Sequence, residues 1–493
     1  MRLAARGIRA PWLCALFALA ILISSFAKLR VGAAAPLWLD ETWTGAIAGQ
    51  PDWQSTLRQI WLDANAPLYY LLEHLWIGFA GLSDAALRAP SLGFGLAAPI
   101  LAVLLPMEDW QLEDRLVFGG LVALWTEGVV FSELARCYPL LVCLAIAETV
   151  SFVRLLSRPT LARAMIAASL ASLMILTHYQ ALALVGCQGL VMLAYLRGRV
   201  WRLWSAVLPF LPALGVLIWH APRLAQFARP DVAWYAYTNL RTLEDLFTFT
   251  YGGRALLIFA VVAGAWGVMR WIGGRPRDAP KPEFPVHWLA VSASLAAALL
   301  LIGAGALRPS FTVRYLTPMV PGLLLALPLS VHLASPNFKW ASCLILGLYC
   351  LQALMWMAPV VGRSGRLFNY EIASRDLMRT SPDRLIFTWD HPAQQVEDPS
   401  QYAAAGGFFF HRAKAGAEVV PVLFRLGDDP NRRLLSAATT PSSVILWIYD
   451  TGVRGVFASR FPPQIPKYDP SFGCRQYGAG SIGIYACARR WAK

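Results

Sequence analysis

Long apolar runs broken by short polar loops set the pattern of this chain as far as about residue 360. A bilayer core takes about 20 mainly apolar residues per helical span, because backbone N–H and C=O groups in lipid must be paired within their own segment. Runs of this kind predict spans near residues 11–27, 88–106, 116–131, 138–155, 164–177, 180–196, 203–220, 255–272, 286–306, 316–333 and 339–358. The strands of a lipid-embedded barrel alternate apolar and polar residues, whereas Ala255 to Met269 is continuously apolar, so the spans are helical. About eleven spans is an odd number and puts the termini on opposite sides of the membrane.

Basic loops orient the bundle. Arg2, Arg6 and Arg9, then Arg154, Arg158 and Arg163, then Arg197, Arg199 and Arg202, then Arg270, Arg275, Arg277 and Lys281 fall on one side, the cytoplasmic side by the positive-inside rule. The loop Glu108 to Arg115 lies there too despite its acidic residues, which weigh little in the rule. The expectation is a multi-pass protein of a bacterial cytoplasmic (inner) membrane, with a large first periplasmic loop, 28–87, and a periplasmic C-terminal domain. A cleaved signal peptide ending near Ala33-Ala-Ala35 is the alternative at the N-terminus, but Lys28 and Arg30 interrupt the route to it.

Near residue 360 the spans stop and Asp, Arg, Pro and Gly rise, dividing the chain into a membrane domain, 1–359, and a small α/β domain, 360–493. Leu385–Trp389 and Val444–Tyr449 read as buried strands and Ser400–Ala415 as a helix. Phe472–Tyr477 and Ile482–Cys487 read as a terminal hairpin, in which Cys474 and Cys487 are either a disulfide or two free thiols, since spacing alone leaves the register open. The other six cysteines lie in or beside spans as small apolar fillers.

Composition agrees with a membrane protein: 57% of residues are hydrophobic and 15% charged, with a mean hydropathy of +0.50. The net charge of +14 is spread over loops and tail rather than gathered on one basic face, so membrane lipids are expected partners and nucleic acid is not. No Cys-x-x-Cys, His-Glu-x-x-His or calcium-loop pattern occurs, so no cofactor is expected, and a divalent metal has no ligand motif. A phosphate-cradling Gly-rich loop is also missing, which disfavours an ATP-driven pump. Paired halves with broken helices, the mark of many secondary transporters, do not stand out either.

Polar residues collect at span ends on the side opposite the basic loops. Asp40 and Glu41 follow the first span, Glu133 and Arg136 stand between the third and fourth, His178 and Tyr179 turn between the fifth and sixth, and Arg314 and Tyr315 open the tenth. Charge beside lipid is costly, so such a convergence suggests a site for an amphiphilic substrate. A base within reach of a hydroxyl and cations beside a leaving phosphate would suit transfer to an alcohol. Each residue also has a plainer reading. Asp40 and Glu41 suit the N-terminus of a short interfacial helix. Arg136 and Arg314 suit snorkelling to headgroups, and His178 a structural hydrogen bond. Glu133 has Arg136 within one turn, and Glu127 and Glu148 suit interhelical hydrogen bonds.

In order and spacing, Leu39-Asp-Glu41, Ala66-Pro-Leu-Tyr-Tyr70, Ala86-Leu-Arg-Ala-Pro-Ser91, Glu133-Leu-Ala-Arg-Cys-Tyr138, His178-Tyr179 and Arg314-Tyr-Leu-Thr-Pro318 together resemble the GT-C class of integral-membrane glycosyltransferases. Within that class the chain resembles the bacterial relatives of the protein O-mannosyltransferases and of the lipid A aminoarabinose transferase, from about Trp38 to about Leu325. The resemblance implies an inverting transfer from a polyprenyl-phosphate-linked sugar to a hydroxyl of a lipid, glycan or protein acceptor. It implies Asp40 as the base, with Glu41 assisting or orienting, and Arg314 and then Arg136 as holders of the donor phosphate. Asn65, Tyr69, Arg88, Glu133, Tyr138, His178 and Tyr315 fall in the same motifs as expected substrate contacts. Where relatives often carry His-Pro-Pro or Lys-Pro in the first outer loop, this chain has Asn65-Ala-Pro67, which removes a basic contact. A transporter or flippase for lipid-linked sugars is the rival; it requires charge to continue through the bilayer, and only Glu148 hints at that.

Overall fold

The computed structural model describes residues 11–32, 37, 39–227, 237–273, 285–334, 339–361, 370–390, 398–413, 416–424, 428–450, 463–477 and 482–491. The N-terminal arginines, the Ala33–Ala35 stretch, and Arg275, Arg277 and Lys281 lie outside these residues.

The membrane bundle starts with α1 (Pro11–Gly32). Three short helices then lie in the first loop: α2 (Leu39–Ala48), α3 (Trp53–Leu62) and α4 (Leu68–Ala80). The chain returns through α5 (Asp84–Leu104), α6 (Leu112–Leu124), α7 (Thr126–Ser132), α8 (Tyr138–Ser157), α9 (Leu161–Thr177) and α10 (Ala181–Leu196). A tighter helical stretch, Arg197–Phe210, leads to α11 (Leu211–Phe227), followed by α12 (Arg241–Tyr251), α13 (Ala255–Gly273) and α14 (Pro285–Leu307). A 3₁₀ turn, Val313–Met319, opens α15 (Val320–Leu324) and α16 (Ala326–Ala334), and α17 (Lys339–Val361) closes the bundle.

Helix α8 is apolar around most of its circumference and accordingly sits in the middle, with Leu141, Ile146 and Val153 wholly buried between α5, α9 and α14. Helices α5 and α6 approach closely because α6 presents Gly119, where a Cβ would lie 2.8 Å from the Pro99 carbonyl oxygen.

By length and hydropathy six described helical stretches qualify as membrane spans, and eight if each bent pair is one span, so the expected eleven is not reproduced by these criteria. The difference has structural causes. Residues 181–227 run on as one stretch where two spans were expected, Leu161–Thr177 and the described apolar part of α17, Ala341–Met355, are short, and two spans are broken. The break between α6 and α7 turns by 59° and that between α12 and α13 by 71°.

The C-terminal domain continues with α18 (Tyr370–Met378), β1 (Arg384–Asp390), α19 (Pro399–Ala413), β2 (Glu418–Pro421), α20 (Pro430–Ala437), β3 (Val444–Asp450), α21 (Ile465–Tyr468), β4 (Gly473–Tyr477) and β5 (Ile482–Ala488). Strand order is β2-β1-β3-β5-β4, with β2, β1 and β3 parallel and β5 antiparallel to both its neighbours. Alternation along β1 and β3 sends Leu385, Phe387, Leu446 and Ile448 to one face, with α19, and Ile386, Ile445 and Trp447 to the other, with α20 and α21. The hairpin register sets Cys474 directly opposite Cys487, and the two form a disulfide.

This domain is keyed onto the first loop. The Phe408 ring of α19 fills the space over Gly45 of α2, where a Cβ would lie 2.2 Å from it, and Trp389 stacks on Trp43 at 5.2 Å. Gln59 donates to Ser400 Oγ at 3.2 Å and Gln401 to the Leu62 carbonyl at 3.1 Å. Sheet, first loop and helix α2 thus share one apolar cluster.

Candidate active site

Adjacent residues on a helix diverge by about 100°, so Asp40 and Glu41 in the first turn of α2 face different surroundings. Glu41 points inward and is wholly buried. It accepts two parallel hydrogen bonds from Arg88, from Nε at 2.7 Å and Nη2 at 2.9 Å, and a third from the Ala135 N–H at 2.9 Å. Asp40 points to the open side, about a quarter exposed, and its Oδ2 accepts from Arg314 Nη1 at 2.7 Å. The Arg136 guanidinium donates to the Asp40 carbonyl oxygen at 3.2 Å.

The segment between α7 and α8 is held from two sides. Glu41 takes the Ala135 N–H, while Ser91 on α5 donates to the Arg136 carbonyl at 2.8 Å and accepts from its N–H at 3.3 Å. Tyr69 shares a 2.7 Å hydrogen bond with that same Ser91. Arg136 is thereby fixed beside Asp40 through its backbone. Tyr69 and Arg88 are buried with their polar atoms engaged inside the protein.

Glu133, at the C-terminal end of α7, lies in the field of Arg88 and Lys28. Burial pushes its carboxyl up to about 8, with Arg88 and Lys28 pulling it back and Glu41 adding to the rise. Lys28 at the end of α1 is tied to the Gly95 carbonyl at 2.7 Å. His178 follows α9 directly, with its ring between Tyr138 (5.8 Å) and Tyr315 (5.5 Å). Burial, with Arg136 and Arg314 nearby, lowers its imidazole to about 3, so it is a neutral wall of the site. Cys137 is inert as well, its thiol raised to about 11 by burial.

Asn65 donates from Nδ2 to Asp63 Oδ2 at 2.8 Å, and the Tyr70 hydroxyl donates to the same oxygen at 2.6 Å. His220 on α11 bonds the Asp63 carbonyl through Nε2 at 2.8 Å and the Tyr179 hydroxyl through Nδ1 at 2.7 Å. Asp63, His220, Ser91 and Lys28 were not among the residues expected. One signal for Asp63 was present: Trp-Leu-Asp occurs at 38–40 and again at 61–63. Glu148 bonds Gln188 at 2.8 Å between α8 and α10, as an interhelical hydrogen bond. Among the described residues no group of three or more His, Cys, Asp or Glu converges as a metal site.

Two cavities are lined by elements neighbouring these residues. One, of about 470 Å³, lies between α7, α12 and α17 and reaches Val313, the neighbour of Arg314. The other, of about 380 Å³, lies between the α2–α3 segment and α19.

No protein-family model and no curated protein matches the chain. Solved structures do match. Apo ArnT from Cupriavidus metallidurans, a lipid A aminoarabinose transferase, is 12% identical, with a TM-score of 0.62 over 98% of this chain and 99% of that one. The same protein bound to undecaprenyl phosphate is 12% identical, with a TM-score of 0.56 over 97% and 98%. An Archaeoglobus fulgidus oligosaccharyltransferase matches more loosely, at 12% identity and a TM-score of 0.48 over 95% of this chain and 72% of that one. The two ArnT structures show that the chain has the GT-C fold.

Proposed function

We propose that this GT-C-fold chain is an inverting glycosyltransferase that moves a sugar from a polyprenyl-phosphate-linked donor to a hydroxyl acceptor, on the periplasmic face of a bacterial inner membrane. The observation that carries the reading is the Asp40–Arg314 ion pair, with Arg136 at the Asp40 carbonyl. A base and two cations stand together, as transfer from a phosphate to an alcohol requires. One ArnT structure holds undecaprenyl phosphate, which supports a donor of that class here.

In this mechanism the donor phosphate takes up Arg314 and Arg136, because a guanidinium fork suits phosphate oxygens. Asp40 is released and accepts the proton of the acceptor hydroxyl. The acceptor oxygen bonds to the anomeric carbon as the bond from that carbon to the phosphate oxygen breaks. The phosphate leaves with the bonding electrons, and the arginines balance its growing charge. Retention would need a second, nucleophilic carboxylate. Glu41 is locked to Arg88, and burial raises the Glu133 carboxyl, which makes it a poor nucleophile and supports inversion. Glu41 then acts by orientation, fixing α2 against α5 and the α7–α8 segment.

The disulfide supports the periplasmic placement of the C-terminal domain, since such bridges persist in oxidising compartments. The keying of α19 onto α2 supports a place for this domain beside the site, from which it would help to select the acceptor. Purified protein in nanodiscs, supplied with a panel of polyprenyl-phosphate hexoses and pentoses and simple alcohol acceptors, tests the reaction. Transfer with inverted anomeric configuration is expected; binding and vesicle translocation of the lipid without transfer would favour the flippase.

A further inference from the structure

The 470 Å³ cavity beside Val313 is built where two helices are interrupted. The α6–α7 break is tied to α12 by the Trp125 indole N–H, which donates to the Phe249 carbonyl at 2.7 Å. The α12–α13 break rests on Gly252 at φ +88°, where a Cβ would lie 2.4 Å from Gln352 Nε2, so only glycine lets this amide sit against the backbone. Interrupted helices leave backbone groups free at membrane depth, an arrangement tolerated where it lines a cavity.

Polar groups face this space with little to hold them. Gln352 Oε1 is buried without a hydrogen-bond partner among the described residues. Glu127 and Asp245 line the wall without a side-chain ion pair among the described residues, and the Arg254 guanidinium donates to the Met355 sulfur at 2.9 Å. Two carboxyl groups and an amide oxygen against one guanidinium make the wall rich in hydrogen-bond acceptors. Such a wall pairs with hydroxyl groups. The volume lies within the range of about 300–1,000 Å³ usual for small-ligand pockets.

We infer that this cavity is a carbohydrate subsite, in which sugar hydroxyls donate to Glu127, Asp245 and Gln352 while Arg314, which follows Val313 in the chain, and Arg136 hold the phosphate. The inference rests on the transferase reading and adds to it a division into an acceptor-rich sugar compartment and a basic phosphate compartment. The sugar belongs either to the donor or to the acceptor, and the chemistry of the wall is the same for both.

Binding without turnover tests it. Full-length protein in nanodiscs is titrated with undecaprenyl phosphate, with a panel of undecaprenyl-phosphoryl hexoses and pentoses, and with a panel of lipid-free oligosaccharides, for wild type, Glu127→Gln and Asp245→Asn. Each substitution is expected to weaken a sugar-bearing probe about tenfold, the effect of losing a hydrogen bond to a charged group, and undecaprenyl phosphate less than about twofold. A loss confined to the lipid-linked sugars assigns the donor's sugar, and a loss confined to the oligosaccharides assigns the acceptor's. Equal weakening of undecaprenyl phosphate, or no difference between wild type and variants with any sugar probe, overturns the subsite. Asp245 lies on the exposed side of α12, so its variant carries the test if Glu127→Gln does not fold. Retention of transfer by Asp40→Asn would sink the catalytic reading and leave these binding differences untouched.

Discussion

Arg314 donates from Nη1 to Oδ2 of Asp40 across 2.7 Å, joining residues 274 positions apart. The pair lies on the open side of α2, where both partners are about a quarter exposed and a substrate phosphate can compete for the guanidinium. Replacing Arg314 by Ala is expected to weaken donor affinity and turnover together, and Lys to restore only part of each, because a point charge lacks the fork. Donor titration in nanodiscs reads this, and full recovery with Lys would reduce the residue to a simple positive charge.

Glu41 and Arg88 behave differently from Asp40 and Arg314 because they are buried. Glu41→Gln leaves the Arg88 guanidinium without its counter-charge inside the protein, a loss of about 3–5 kcal/mol. Thermal unfolding of the purified protein should therefore fall clearly for Glu41→Gln and hardly at all for Asp40→Asn. Equal melting of both variants would remove the distinction between an orienting and a reacting carboxylate.

Glu73 on α4 is wholly buried, and burial raises its carboxyl from 4.5 to about 8, partly offset by Tyr69. The folded protein then keeps a proton that the unfolded chain releases above about 4.5, so stability falls as pH rises from there to about 8 and levels beyond. Glu73→Gln should flatten this part of the pH profile of unfolding. A profile unchanged by the substitution would show that Glu73 does not hold that proton.

The disulfide gives a test of topology. Cys474 and Cys487 should resist thiol labelling in intact cells until a reductant is added, and a periplasm-active reporter fused after Lys493 should be functional. Labelling without reduction, together with a reporter active only in the cytoplasm, would place the sheet on the other side and invert the assignment from the basic loops.

Much of this arrangement was legible in the sequence because it depends on local pattern. Run length located the long apolar helices though not the number of spans, and the strands at 385–389 and 444–449 stand within the observed 384–390 and 444–450. The helix expected over 400–415 is observed over 399–413. Asp40, Arg136, His178 and Arg314 were marked by their places at span ends, and the fold brings them together. What depended on distant partners was not legible. Nothing in Asp40-Glu41 tells which carboxylate meets Arg88, 47 positions on, until helix α2 is set against α5. The break at Trp125 has no proline or glycine at that position to announce it; its indole is tied to Phe249, 124 positions away. The choice between disulfide and free thiols waited on a strand register that spacing does not fix.

The most direct test of the account is the rate of sugar transfer by Asp40→Asn against wild type, measured with a donor that both proteins bind. Loss of a positioned general base costs about 100- to 10,000-fold. A fall of that size, with donor affinity and melting temperature nearly unchanged, is the predicted result, and turnover near that of wild type would contradict it.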